Sequence, residues 1–140
     1  MIPSVDINYW AILVASIVSM AIGFLWYSPL LFGNAWLKVS GINTKEIEKQ
    51  KEKGMGKKFF ASFVSTLIMT YVLALFLKYM GVTLISEGLF IGFLIWLGFT
   101  ATISLGPVLW QGKPVKIFLI NTSHELVCLL VMSLILTLWV

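Results

Sequence analysis

The sequence predicts an all-α integral membrane protein, a four-helix bundle. Three observations carry that class. The chain is 59% hydrophobic and only 11% charged, against about 25% charged for a soluble domain. Its mean hydropathy is +0.97 over 140 residues, and a fold of that size exposes too much of its surface to keep so much apolar material from water. The apolar residues also gather into four runs, each long enough for a hydrocarbon core of about 30 Å, which needs about 20 helical residues. The bilayer is therefore the expected solvent, and residues 1–140 form a single transmembrane domain.

The runs cover about 7–27, 59–79, 88–109 and 115–139. Backbone groups in lipid must be satisfied within the segment, which makes these runs helices; barrel strands would be shorter and alternate. The opening residues carry no Lys or Arg and no small-residue cleavage site, so the first run is expected to be a retained span. Pro29 and Gly33 close it, Gly81 closes the second, and Pro107 falls near the end of the third, where it should kink the helix.

Lys placement orients the spans. The loop of about 33–58 holds Lys38, Lys45, Lys49, Lys51, Lys53, Lys57 and Lys58; Lys113 and Lys116 lie at the next loop on that side, leaving only Lys78 opposite. The Lys-rich loops should be cytoplasmic and both termini outside, in a plasma or inner membrane. Trp10, Trp26, Trp110 and Trp139, with Tyr9, Tyr27 and Tyr79, fall at span ends as an aromatic belt. Trp96 is the exception, in mid-span. There is no Arg, the usual reader of phosphates and bases, so the net charge of +4 points to topology and not to nucleic acid.

Inside the first loop, Asn43 with Glu46 three residues later fits a helix start, and Gly54 a stop. A short amphipathic helix is expected there. It reads first as a solvated helix held by Glu/Lys pairs, with a helix resting on anionic headgroups or a docking site as the other readings.

The two halves share landmarks in one order. Gly23-Phe24 precedes Pro29 and Gly33 as Gly98-Phe99 precedes Pro107 and Gly112; Lys58, Phe60 and Ser65 match Lys116, Phe118 and Ser123. Two similar hairpins of equal orientation, a parallel repeat, would leave this pattern, and so would shared amphipathic constraints.

Small residues recur at helical spacing. Ala15, Ser19 and Gly23 make one ridge, and Gly88 and Gly92, then Gly98, Thr102 and Gly106, make others. Such faces let membrane helices approach closely. They exceed what one four-helix bundle needs, so a homo-oligomer is expected. Ser62, Thr66 and Thr70 form a hydroxyl stripe on the second span, although membrane Ser and Thr often bond only to their own helix.

The last span carries the strongest candidate for a site. Asn121, His124, Glu125 and Cys128 fall within an arc of about 100° on one helical face. Glu125 is ten residues beyond Val115, so roughly 15 Å deep. Ionisable groups at that depth cost several kcal/mol unless paired or wetted. Three readings follow. The leading one is a polar clamp, in which Glu125 pairs with His124 or a hydroxyl of span two and fixes helix packing. The second is a proton or cation site in a conduit, using Asn121, His124 and Glu125. The third, catalysis or metal binding, has too few ligands in one chain. The single Cys rules out an intrachain disulfide. No phosphate loop, HExxH, GxSxG or CxxC is present, so no enzyme, metal or cofactor is expected.

Read together, Gly23, Phe24, Leu25, Trp26, Tyr27, Ser28, Pro29, Leu30, Leu31, Phe32 and Gly33, then Trp36, resemble the opening signature of a family of small bacterial and archaeal membrane proteins, known as domain of unknown function 1761. Trp96-Leu97-Gly98-Phe99, Phe118-Leu119-Ile120-Asn121 leading into Leu126-Val127, and Trp139 extend the resemblance over nearly the whole chain. It implies a four-span membrane protein and no particular activity. Family members carry a small residue, Gly and an aromatic after the Asn, where this chain has Thr122, Ser123, His124 and Glu125. The resemblance thus marks the charged pair as a local variation and gives more weight to Asn121 and residues 26–33. Two functions are carried forward: a small transporter or channel-like protein for protons, cations or a small solute, and a non-transporting membrane protein that assembles through its small-residue faces.

Overall fold

A computed structural model describes residues 4–41, 45, 48, 49 and 55–139. Every regular element among them is helical: α1 (Tyr9–Trp26), α2 (Gly33–Ser40), α3 (Gly56–Tyr79), α4 (Ile85–Ile95), a π-helical turn (Trp96–Ala101), the short α5 (Thr102–Ser104) and α6 (Gly106–Trp110), and α7 (Val115–Leu138). Four stretches are long and apolar enough to cross a membrane, namely Tyr9–Trp26, Gly56–Tyr79, Ile85–Trp110 and Val115–Leu138. The fold class read from hydropathy is the one observed. Of the helix expected between Asn43 and Gly54, Lys45, Glu48 and Lys49 are described and are helical; the rest lies outside the described residues.

Local chemistry explains the boundaries. Asn8 starts α1, its side-chain oxygen accepting from the backbone N–H of Trp10 and Ala11 at 3.1 and 3.3 Å, two of the donors a helix start leaves unsatisfied. Beyond Trp26 the chain winds into a compact turn. Ser28 Oγ donates to the Leu25 carbonyl at 2.6 Å, and the Gly33 N–H donates to the Ser28 carbonyl at 2.9 Å. Between α3 and α4, Gly81 takes a φ of +67°, a backbone state favourable mainly to glycine.

The third span is not a uniform helix. Six residues of π-helix follow α4, then α5 ends at Leu105 and Pro107 opens α6 in its first turn. A proline has no N–H and its ring collides with a carbonyl one turn back, so it is tolerated only where a helix starts. Hydropathy gives no sign of the π turn. It gives none of α2 either, which packs against α7.

The seams are unequal. Helix α7 packs closely along both α1 and α4, α3 packs along α1, and α3 meets α4 at few points. The core consists of Ala11, Ile12, Ala15, Leu73, Ala74, Leu77, Ile91, Leu129, Met132 and Leu136. These come from the start of α1 and α4 and the end of α3 and α7, so the core occupies one end of the bundle. There Gly88 and Gly92 sit against Thr137 and Ser133 so closely that an added Cβ would overlap the hydroxyl of each. Ser16 Oγ donates to Thr70 Oγ1 at 3.1 Å beneath the same layer. Toward the Lys-rich loops the helices part.

Candidate functional site

The parting of the helices leaves a groove of about 1080 Å³ between α1, α3, the π turn and α7. Its α7 wall holds His124, Glu125 and Cys128 of the polar face expected from the sequence, with Leu129, while Asn121 is not among the lining residues. Cys128 and His124 are one turn apart, which places Cys128 Sγ 3.3 Å from His124 Nε2. The same sulfur is 3.8 Å from the Ser19 carbonyl of α1. His124 is seated by glycine: a Cβ on Gly23 would lie 3.3 Å from its Nε2. The ridge Ala15–Ser19–Gly23 is thus where α1 meets this face of α7.

Asn121 is held by a residue from another element. The Tyr27 hydroxyl donates to Asn121 Oδ1 at 2.6 Å, and the Tyr27 ring stands edge-on to the His124 ring at 5.2 Å between centroids. Trp26 Nε1 donates to the Ile120 carbonyl at 3.1 Å, and Trp96 Nε1 to the Thr122 carbonyl at 2.8 Å. Three aromatic side chains from two other spans are therefore anchored on consecutive residues of α7. A buried indole or phenol normally finds an acceptor, and this accounts for the Trp that sat in mid-span outside the aromatic belt. Its position was the one signal in the sequence for this bond; nothing local pairs Tyr27 with Asn121.

The turn after Trp26 positions these anchors. Gly33 is buried, and a Cβ there would overlap the Tyr27 carbonyl and lie 2.7 Å from the Ser28 carbonyl. Ser28 contributes the two hydrogen bonds described above, while Pro29 is exposed at the bend.

Glu125 is different. It lines the groove, yet its Oε2 is sealed from solvent and has no hydrogen-bond partner. Two members of the hydroxyl stripe of α3, expected as the other half of a clamp, bond elsewhere. Thr66 Oγ1 donates to its own-helix Ser62 carbonyl at 2.8 Å, and Thr70 Oγ1 lies 2.7 Å from the Thr66 carbonyl and 3.2 Å from Met132 Sδ. Ser62 and Thr66 line the groove with Glu125 and are not bonded to it. The rest of the lining includes Met20, Phe24, Phe59, Ser65, Met69 and Thr100, none of which sequence periodicity singles out as a site.

Among the described residues no three His, Cys, Asp or Glu come together as metal ligands. The packing residues divide into two sets. Gly92 is buried against α7, whereas a Cβ added to Gly98 or Gly106 would meet nothing within 4 Å. Thr102 is exposed beside them, its hydroxyl donating to the Gly98 carbonyl at 2.8 Å.

Residues 10–137 match the model of a family described as Protein of unknown function (DUF1761). No curated protein and no solved structure matches the chain.

Proposed function

The chain belongs to the DUF1761 family, and we propose that this member binds a small solute or cation in the groove between α1, α3 and α7 and passes it through the membrane. The observation that carries the reading is Glu125, whose Oε2 is buried and without a partner on the groove wall. A purely structural carboxylate would have a donor, because an unsatisfied buried oxygen costs about 1–3 kcal/mol. The sealed Oε2 does not itself meet a ligand; the rest of the Glu125 side chain lines the groove, and an ionisable group on a cavity wall at membrane depth is suited to an incoming ligand. His124 and Cys128 supply further polar atoms on the same wall, and Tyr27, which also lines the groove, is held by its bond to Asn121 behind it.

The Lys-rich loops are assigned to the cytoplasm and both termini to the outside of a plasma or inner membrane, by the Lys asymmetry. The groove then opens toward the cytoplasmic end. The test is flux in proteoliposomes containing the purified chain. Glu125→Gln should abolish a cation- or solute-dependent flux present in the wild type; wild-type vesicles no leakier than empty ones would remove the reading.

A second reading is favoured by one observation: Gly98 and Gly106 are open on the outer face of the third span. We propose that this face, with Thr102, joins copies of the chain into a homo-oligomer, with or without transport. Gly98→Leu should then dissociate cross-linkable oligomers in native membranes while Gly92→Leu disturbs the protomer itself. Monomers only, in the wild type, would end that proposal.

A further inference from the structure

We propose that the ligand of the groove is an amphipathic organic cation, its ammonium or equivalent at Glu125 and its apolar body among Phe24, Phe59 and Met69. The inference rests on the reading of the groove as a binding site and specifies what it binds. Three observations lead to it.

The first is size. About 1080 Å³ is at or above the range of pockets that hold organic ligands, roughly 300–1000 Å³. A proton relay or a bare ion requires a small fraction of that space. The second is charge. The lining has one carboxyl group, Glu125, no Lys, and as its other ionisable side chains His124, Cys128 and Tyr27. With the imidazole neutral, a groove at membrane depth whose one charged group is a carboxylate is complementary to a positive charge and repels an anion. The third is the apolar part of the wall. Phe24 and Phe59 meet edge to face at 5.3 Å across α1 and α3, and Tyr27 lies on the same wall. Aromatic faces attract cations, and more so where water is scarce. Met20 and Met69 add flexible, polarisable surface, which accommodates bodies of varied shape.

The route of entry follows from the seams. Helix α3 meets α4 at few points, and Ser62, Ser65 and Met69 on the groove wall are exposed. The opening therefore faces the bilayer as well as the loop end. A molecule that partitions into the interface can reach Glu125 sideways between α3 and the π turn, without crossing the packed core at the far end.

The test uses the full chain in nanodiscs of neutral phosphatidylcholine and three probes of similar bulk: tetraphenylphosphonium, tetraphenylborate and neutral triphenylphosphine oxide. Binding is read by calorimetry and by the quenching of tryptophan fluorescence, to which Trp26, beside His124, contributes with five other Trp. The cation should bind saturably and displaceably. Glu125→Gln should weaken it by about tenfold or more, Glu125→Asp should retain most of the affinity, and Phe59→Ala should weaken it less than Glu125→Gln. The borate should not saturate. Equal binding of cation, anion and neutral probe, or full cation affinity in Glu125→Gln, would overturn the cation assignment and leave the groove as a binding site. Saturable binding of none of the three would overturn both. A folded Glu125→Asp variant with wild-type circular dichroism but no cation binding would also count against the assignment, because the charge is kept.

Discussion

Replacing Glu125 by Met distinguishes a packing clamp from a ligand site. Met has a similar length, no charge and no hydrogen-bonding demand. In the protein as it stands, Glu125 Oε2 is buried without a donor, a condition that costs about 1–3 kcal/mol and more for an ionised group. Part of the side chain faces the groove, where water can serve the other oxygen, so only the share of one oxygen is recovered. The expected gain is therefore about 1–2 kcal/mol in unfolding free energy. The assay is reversible unfolding in mixed micelles, with the denaturing-detergent fraction at the midpoint read by circular dichroism. A clamp predicts the opposite sign, because removing one partner of a buried polar pair destabilises by up to several kcal/mol. A loss of about 1 kcal/mol or more would show that Glu125 has a partner in the membrane and would refute the reasoning from an orphaned oxygen. Gain in stability with loss of binding is the usual relation at functional sites.

Other substitutions test the frame around it. Gly92→Ala places a Cβ onto Ser133 and 3.3 Å from the Leu129 carbonyl; Gly98→Ala meets nothing within 4 Å. Both gain similar helix propensity, so their difference isolates overpacking, about 1–3 kcal/mol against Gly92→Ala in the same unfolding assay; equal midpoints would refute the close approach of α4 and α7. Tyr27→Phe removes the 2.6 Å bond to Asn121 and should cost about 1 kcal/mol, whereas Tyr27→Phe with Asn121→Leu should recover part of it, since replacing both partners by apolar groups can be nearly neutral. Gly33→Ala pushes a methyl into the Tyr27 and Ser28 backbone; it should destabilise by about 1–3 kcal/mol, and a silent variant would mean that the turn is not as compact as described.

The fold was legible because hydrophobic length is a local property. Each span announces itself by its own residues, and the ridges Ala15–Ser19–Gly23 and Gly88–Gly92 announce where helices can come close. Both ridges lie at seams with α7. Which helix fills each seam is not local, and hydropathy gives no hint that α7 serves two partners while α3 and α4 stand apart. The polar face of α7 was legible for the same reason as the spans, since helical period alone brings Asn121, His124, Glu125 and Cys128 together. Its partners were not. Tyr27 reaches Asn121 across 94 positions of sequence, and as a span-end aromatic it is indistinguishable from Tyr9 or Tyr79. A hydroxyl of α3 was a candidate partner for Glu125, but Thr66 bonds to its own helix and Thr70 to Ser16 and Met132. The π turn leaves no compositional trace at all, although Thr100, which it presents to the groove, depends on it.

The double service of α7 has a consequence for how the protein is made. Spans enter the membrane in order of synthesis and pack afterwards. The α1–α3 hairpin can close as soon as α3 is inserted, because its seam is its own. Helix α4 has no such option. Gly88 and Gly92 fit Thr137 and Ser133, which the ribosome adds more than 40 residues later, or several seconds at about 5–20 residues per second. During that interval the third span sits in lipid with its tightest face uncovered. The packing of the third span is therefore completed only by α7, and the nascent chain waiting for it is the stage most exposed to membrane quality control.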